Sequence, residues 1–118
     1  MAGAGYLDKL NARQRAAAEF GVGKGGSPPL LIIAGAGTGK TATLAHRVAH
    51  LLVNGADPRR ILLMTFSRRA AAELTARVER ITAQALGTAV AAEALTWAGT
   101  FHGIGARILR DHALAVGL

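Results

Sequence analysis

The residues best suited to chemistry lie in a glycine-rich stretch, LLIIAGAGTGKTATL, at positions 30–44. Glycines let a chain curl so that several backbone N–H groups point at one anion, and a helix that follows adds the positive end of its dipole. Lys40 could reach the β- and γ-phosphates of a nucleoside triphosphate, and the Thr41 hydroxyl could be a ligand of Mg²⁺. We therefore predict a phosphate-binding loop, with Lys40 and Thr41 as its catalytic residues, formed by Ala34, Gly35, Ala36, Gly37, Thr38, Gly39, Lys40 and Thr41.

This loop departs from the strict pattern G-x-x-x-x-G-K-[ST] at its first position, where the sequence has Ala34. The context still favours the loop, because an apolar run precedes it and a helical pattern follows it. The alternative is a glycine-rich turn between a strand and a helix that contains an incidental lysine. A second glycine-rich segment, GVGKGGS at 21–27, has neither a preceding strand nor the Gly-Lys-Ser/Thr ending, so it is predicted to be a loop only.

The elements that would position this loop alternate along the chain. A first helix should follow the cap residue Asn11, with Gln14 three residues later completing a capping box, and should end near Phe20. Apolar runs and helical periodicity then predict strands at 30–34, 61–66 and 95–100 and helices at 39–53, 68–82 and 101–112. Their apolar stripes are formed by Leu44, Val48, Leu51 and Leu52 in the second helix and by Ala71, Leu74, Val78 and Ile81 in the third. Such alternation predicts an α/β protein with a parallel sheet of about three strands and helices on both faces.

Composition narrows the classes of protein and partner. The 118 residues suffice for one domain, and the net charge of +7 with a pI near 11.4 suits a polyanion such as nucleic acid, although a GC-rich genome would also enrich arginine. No cysteine is present, which excludes disulfides and thiolate metal sites. No apolar run or leader pattern indicates a membrane span or a signal peptide, so a cytoplasmic protein without membrane contact is predicted. His46, His50 and His112 are interpreted as helix-surface residues.

Four segments in order resemble the beginning of a superfamily 1 DNA helicase of the UvrD/Rep/PcrA type: LNARQ (10–14), AGAGTGKT (34–41), LLMTFSRRAAAEL (62–74) and GTFHGIGARIL (99–109). The family's own loop begins with alanine, which accounts for Ala34. The resemblance implies a P-loop NTPase (RecA-like) fold, ATP and Mg²⁺ as cofactors, and single-stranded DNA and duplex junctions as partners. It also implies that ATP hydrolysis drives translocation on single-stranded DNA and duplex unwinding, in such helicases usually 3′ to 5′.

The resemblance further assigns roles to individual residues. Gln14 would recognise adenine, a role that competes with the capping box for the same side chain. Contacts to DNA would come from Thr65, Phe66, Ser67, Arg68 and Arg69 in the third segment and from Thr100, Phe101 and His102 in the fourth. The alternatives are a core position for Phe66, a solvated arginine pair, a helix cap at Thr100 and an ordinary surface role for His102. The sequence departs from the family where TFSRR replaces the more usual TFTNK and where Ala42 replaces an arginine.

Hydrolysis of ATP needs an acidic group to hold Mg²⁺ and another group to orient water. In the family both come from a strand ending in Asp-Glu, whereas none of the seven acidic residues here forms an adjacent Asp-Glu pair. We therefore expect residues 1–118 to be the N-terminal portion of a UvrD-like ATP-binding domain that ends before the Asp-Glu motif. We expect this portion to bind ATP without hydrolysing it. The alternatives are a small P-loop nucleotide or metabolite kinase and a basic DNA-binding module without ATPase activity.

Overall fold

Four α-helices and two β-strands form the regular structure of the computed structural model, which describes residues 5–23, 26–33, 39–87 and 95–118. In chain order these elements are α1 (Ala12–Glu19), α2 (Lys40–Val53), β1 (Leu62–Thr65), α3 (Arg68–Leu86), β2 (Trp97–Thr100) and α4 (Phe101–Asp111). Short 3₁₀ turns occupy Gly5–Leu7 and Pro58–Arg60. None of these helices is both long enough and apolar enough to cross a membrane. The four predicted helices are confirmed, each beginning within one residue of its predicted start.

The two strands pair in parallel, as the alternation of elements predicted. Leu62 is opposite Trp97 and the register continues to Thr65 opposite Thr100, so both strands end at the same edge of the sheet. Alternate residues of a strand point to opposite faces. Leu63 faces the core that α3 shares, whereas Gly99 lies against Ile104 of α4, whose Cδ1 is 3.5 Å from the position of an added Cβ. Helices therefore cover both faces of the pair, and α3 provides the crossover.

The prediction of a strand at 30–34 is wrong for the part of it that the structure describes. Leu30–Ile33 have no regular structure, and Ala34 is outside the described residues. Leu31 and Ile33 are 80% and 87% exposed, so this apolar run is not buried on both faces. A strand needs a hydrogen-bonded neighbour, and the two described strands pair with each other only. The described sheet therefore has two strands and not about three.

The core lies between α2, α3 and the α3-facing side of the sheet. Three of the four residues of the predicted α3 stripe are confirmed as buried, namely Leu74, Val78 and Ile81, and Ala71 is half-buried. The helix extends to Leu86 and not to about residue 82. The predicted α2 stripe is confirmed for Val48 and Leu52, which are buried, whereas Leu51 is half-buried and Leu44 is exposed. The buried face also includes Thr43, Ala45, His46 and Ala49.

The prediction of a surface position for His46 is wrong. The ring is buried, and its Nδ1 is 2.6 Å from the carbonyl oxygen of Ala42, four residues earlier on the same helix. That nitrogen must carry the proton, since a carbonyl oxygen can only accept. A local acceptor therefore satisfies the ring and allows it to pack among apolar residues.

A hydrogen-bonded cluster joins the N-terminal turn to the C-terminal end of α2. Tyr6 is buried, and its hydroxyl is hydrogen-bonded to Nδ1 of His50, which is half-buried. The Asn54 side chain donates to the His50 carbonyl oxygen at 2.7 Å. Burial lowers the pKa of His50 from its usual 6.5, while Glu19 opposes this shift and the charges of Arg15 and Arg47 add to it.

We predict that this cluster makes the protein less stable in mild acid. Because the folded pKa of His50 is below the unfolded value, its contribution is complete above about pH 6.5 and is lost as the pH falls toward the folded pKa. The midpoint of urea unfolding, measured between pH 7.5 and 5, should therefore fall, and His50→Gln should reduce this fall. His102→Gln is the matched control, because His102 is exposed and should keep the wild-type profile. Identical profiles for His50→Gln and the wild type would contradict the assignment.

Candidate functional site

The start of α2 differs from the starts of the other described α-helices. The side chains of Asn11, Ser67 and Thr100 cap α1, α3 and α4 by accepting a backbone N–H of the first turn. The N-cap of α2 is Gly39, which has φ of 83° and supplies no side-chain cap. The first turn of a helix has N–H groups without intrahelical partners and the positive end of the dipole, so an anion fits at such an end.

The residues of the first turn suit that anion. Lys40 and Thr41 open α2 and both are exposed, and the first turn contains no acidic residue. Of the predicted phosphate-binding loop, only Gly39, Lys40 and Thr41 belong to the described residues, and Ala34–Thr38 lie outside them. The described end of the loop thus carries an ammonium group, a hydroxyl and a helix N-terminus together.

Gln14 of α1 lies directly against Gly39. A Cβ added to Gly39 would be 2.5 Å from the Gln14 Nε2, so any other residue type would displace that amide. The predicted capping box is confirmed, since Gln14 Oε1 accepts the Asn11 N–H at 2.9 Å and Asn11 Oδ1 accepts the Gln14 N–H at 2.9 Å. One side chain therefore caps α1 with its oxygen while its nitrogen faces the end of the phosphate loop. The contact of Gln14 with adenine stays a prediction.

A cleft of about 200 Å³ separates α1 from the start of α2. Its lining comes from α1 and its N-cap, the irregular run before the loop and α2: Asn11, Arg13, Gln14, Ala17, Ile32, Ile33, Lys40 and Thr43. Sequence reasoning did not select Arg13, the two isoleucines or Thr43. Arg13 could have been found, because it is adjacent to Gln14 in LNARQ, whereas Thr43 carries no comparable signal. The Thr43 hydroxyl donates to the carbonyl oxygen of the N-cap residue Gly39 at 3.0 Å, a bond within the first turn of α2.

The predicted DNA-contact residues meet at the edge where both strands end. Thr65 is opposite Thr100, and the next residues, Phe66 and Phe101, bring their rings together with centroids 5.1 Å apart and planes at 40°. Phe66 is 95% exposed and Phe101 is 45% exposed. The alternative of a core position for Phe66 is therefore wrong, and the pair presents aromatic surface to solvent.

Helices α3 and α4 both begin at this edge. Ser67 Oγ accepts the Ala70 N–H at 3.1 Å and Thr100 Oγ1 accepts the Gly103 N–H at 3.0 Å, so the alternative of a cap at Thr100 is confirmed. A hydroxyl that accepts one hydrogen bond still has a proton to donate, so a cap does not exclude contact with a phosphate. Thr65 Oγ1 donates to the Ser67 carbonyl oxygen at 2.8 Å and thereby fixes the turn between them.

The charged groups at this edge are mostly basic. Arg68 and His102 are exposed, and Arg69 forms an ion pair with Glu73 whose closest atoms are 3.5 Å apart. Both side chains of that pair are exposed, so the pair contributes little to stability and can exchange partners. Two helix N-termini, hydroxyl groups, basic side chains and an aromatic pair therefore share one surface.

A parallel α/β arrangement in which one helix opens on Gly-Lys-Thr is that of the P-loop class of nucleotide-binding proteins. Residues 10–118 match the family described as the UvrD/REP helicase N-terminal domain. The chain therefore belongs to the UvrD/REP helicase family, whose N-terminal domain has a P-loop fold and binds ATP. This result confirms the resemblance inferred from the four segments.

Curated relatives agree with this assignment. The chain is 43% identical over 112 residues to the ATP-dependent DNA helicase UvrD1 of Mycobacterium leprae, an alignment that covers 94% of this chain and 13% of that protein. It is 40% identical over 113 residues to DNA helicase II of Escherichia coli, covering 95% of this chain and 14% of that protein. It is 46% identical over 92 residues to the ATP-dependent DNA helicase PcrA of Staphylococcus epidermidis, covering 76% of this chain and 12% of that protein. The chain thus spans about one seventh of the length of these relatives.

Proposed function

We propose that residues 1–118 form the N-terminal portion of the first motor domain, with a RecA-like sheet, of an ATP-dependent DNA helicase. The motor couples ATP hydrolysis to 3′-to-5′ translocation on single-stranded DNA and unwinds duplex at junctions. Support comes from the family match over residues 10–118 and from relatives that are named as ATP-dependent DNA helicases. The two candidate surfaces, one at the start of α2 and one at the strand ends, correspond to the nucleotide and the DNA.

The observation that carries the nucleotide part is the uncapped start of α2 beside Gln14. Gly39 provides no capping side chain, Lys40 is exposed at the first turn, and the Gln14 amide is adjacent. The triphosphate would lie at this helix end, held by backbone N–H groups and the Lys40 ammonium. The adenine would enter the cleft between α1 and α2, where Ile32 and Ile33 offer apolar surface to the ring.

The residues of this chain would supply only part of the coordination of Mg²⁺. The Thr41 hydroxyl would be a ligand, and when bound the ion would neutralise charge on the β- and γ-phosphates. The sequence of 118 residues contains no adjacent Asp-Glu pair that could complete the ion's coordination and orient water. The chain on its own therefore binds ATP and does not turn it over.

The DNA would cross the edge where β1 and β2 end. Phosphates would accept hydrogen bonds from the first turns of α3 and α4, with the hydroxyls of Thr65, Ser67 and Thr100 adjacent. Arg68, Arg69 and His102 would add positive charge, and the exposed Phe66–Phe101 pair would pack against a base. Most of these contacts go to the backbone, so binding would show little dependence on base sequence.

Titration of a fluorescent ATP analogue against the wild type and Lys40→Ala tests the nucleotide assignment. The variant should bind roughly 10- to 100-fold more weakly, because a charge-assisted hydrogen bond contributes about 1.5–3 kcal/mol. Lys9→Ala is the matched control, since Lys9 is an exposed lysine that does not line the cleft and should bind as the wild type does. Equal affinities of the wild type and Lys40→Ala would rule out the phosphate loop. If the wild type binds DNA but does not bind the nucleotide, the result would instead support the alternative of a basic DNA-binding module without ATPase activity.

A further inference from the structure

Helix α1 carries Gln14 but has little apolar anchoring of its own. Its eight residues include one buried residue, Ala18, which is fully buried in the core cluster. Isolated helices of this length are marginal in water, and most helices depend on the packing of an apolar face. The position of α1 must therefore depend strongly on polar contacts at its two ends.

Arg47 of α2 makes the contacts at the C-terminal end of α1. Its Nη1 donates to the Ala17 carbonyl oxygen at 2.9 Å and to the Phe20 carbonyl oxygen at 2.8 Å. The last carbonyl groups of a helix lack intrahelical partners and carry the negative end of the dipole, so a guanidinium group there satisfies both needs. This one side chain fixes the end of α1 to the middle of α2.

The same face of α2 reaches the other end of α1. Lys40, Thr43 and Arg47 are spaced i, i+3 and i+7, which places them along one side of a helix. Lys40 and Thr43 line the cleft together with Gln14, and Gln14 also lies against Gly39. At a rise of 1.5 Å per residue, Arg47 is about 10 Å from Lys40 along the axis. Arg47 and the Gln14–Gly39 contact therefore hold α1 at two separate points.

We propose that Arg47 is a positioning residue for recognition of the nucleotide base. It fixes α1 on α2 so that Gln14 stands at the adenine end of the cleft, and it does so without touching the nucleotide. The inference rests on the proposed binding of ATP and deepens it. It predicts that loss of Arg47 weakens contacts to the base while contacts to the triphosphate, made by the start of α2, are retained.

Arg47→Met tests this prediction, because methionine keeps an apolar stem and removes the donors. We expect the affinity for ATP to fall roughly 3- to 10-fold and the preference for ATP over GTP to shrink, since a displaced Gln14 would lose about one neutral hydrogen bond to the base. The affinity for inorganic tripolyphosphate should stay at the wild-type value. Arg47→Lys should recover part of the ATP affinity, because one ammonium group can reach a carbonyl oxygen that methionine cannot.

Two comparisons separate a positioning role from general damage. Arg60→Met, at an exposed arginine of the 3₁₀ turn, should bind all three ligands as the wild type does. In a Gln14→Ala background, Arg47→Met should cause no further loss of ATP affinity, because the side chain that it positions is gone. Far-ultraviolet circular dichroism checks that each variant is folded.

The possible outcomes are distinct. Equal losses of affinity for ATP and tripolyphosphate in Arg47→Met and Arg47→Lys would overturn the inference. Unchanged ATP affinity in Arg47→Met would also overturn it, and so would additive losses in the Gln14→Ala/Arg47→Met double variant. If the wild type binds tripolyphosphate but does not prefer ATP to GTP, the inference fails while the phosphate loop stands. If the wild type binds neither ATP nor tripolyphosphate, the proposed function itself fails.

Discussion

Replacing Gly39 with alanine should weaken ATP binding roughly tenfold or more while lowering the free energy of unfolding by about 1–2 kcal/mol. Gly39 has φ of 83°, a left-handed conformation that costs residues with a Cβ roughly 1–2 kcal/mol. The added Cβ would also be 2.5 Å from the Gln14 Nε2. Because the end of a glutamine side chain can rotate, the clash should displace Gln14 and not unfold the protein.

Gly87→Ala is the matched control for this change. Gly87 caps the end of α3 with φ of 77°, and an added Cβ there would meet nothing within 4 Å. It should therefore show a similar loss of stability with unchanged affinity for the ATP analogue. Urea unfolding and nucleotide titration of both variants measure the two effects separately. Wild-type nucleotide affinity in Gly39→Ala would show that the Gln14–Gly39 contact has no part in binding.

The helices were predictable because their signals are local. Asn11 and Gln14 lie three residues apart, and Leu74, Val78 and Ile81 recur at helical spacing, so the interactions that define these helices are visible in short windows. The first turn of α2 was predictable for the same reason, since Gly39 and Lys40 belong to a contiguous pattern. The parallel pairing followed from the alternation of strands and helices.

The errors concern contacts that a pattern of residue types does not show, two of them with distant parts of the chain and one within a single helix. The run Leu30–Ile33 has the composition of a buried strand, but a strand also needs a neighbour, and the sequence does not say where that neighbour lies. His46 looked like a surface residue because the acceptor at Ala42 that satisfies its ring cannot be recognised from polarity. Arg47 was missed because its partners, Ala17 and Phe20, are 30 and 27 residues away.

The exposure of Phe66 leads to the second large expected effect. Phe66→Ala should reduce the affinity for single-stranded DNA roughly 5- to 100-fold, because stacking of a base on an aromatic ring contributes about 1–3 kcal/mol. The free energy of unfolding should change by less than about 0.5 kcal/mol, as is usual for surface substitutions. Phe66 is 95% exposed, so its removal takes little from the core. Fluorescence anisotropy with a labelled oligothymidylate measures the binding, and urea unfolding measures the stability.

Two further variants separate stacking from general hydrophobicity. Phe66→Leu keeps an apolar side chain without an aromatic face and should lose most of the same affinity. Leu114→Ala removes an apolar side chain that is 93% exposed and lies beyond the C-terminal end of α4, away from the edge where that helix begins. It should bind DNA as the wild type does, so an equal loss in Leu114→Ala would indicate non-specific binding.

The salt dependence of binding adds an independent test of the same surface. Affinity for DNA falls with salt in proportion to the number of phosphates that basic groups neutralise. Phe66 carries no charge, so Phe66→Ala should lower the affinity at every salt concentration without changing the slope of log K against log salt. If the slope were to fall instead, the substitution would have displaced Arg68 or Arg69 from phosphates. If neither the slope nor the affinity changed, the aromatic pair would have no contact with DNA. The DNA would then bind to a surface other than the edge where the strands end.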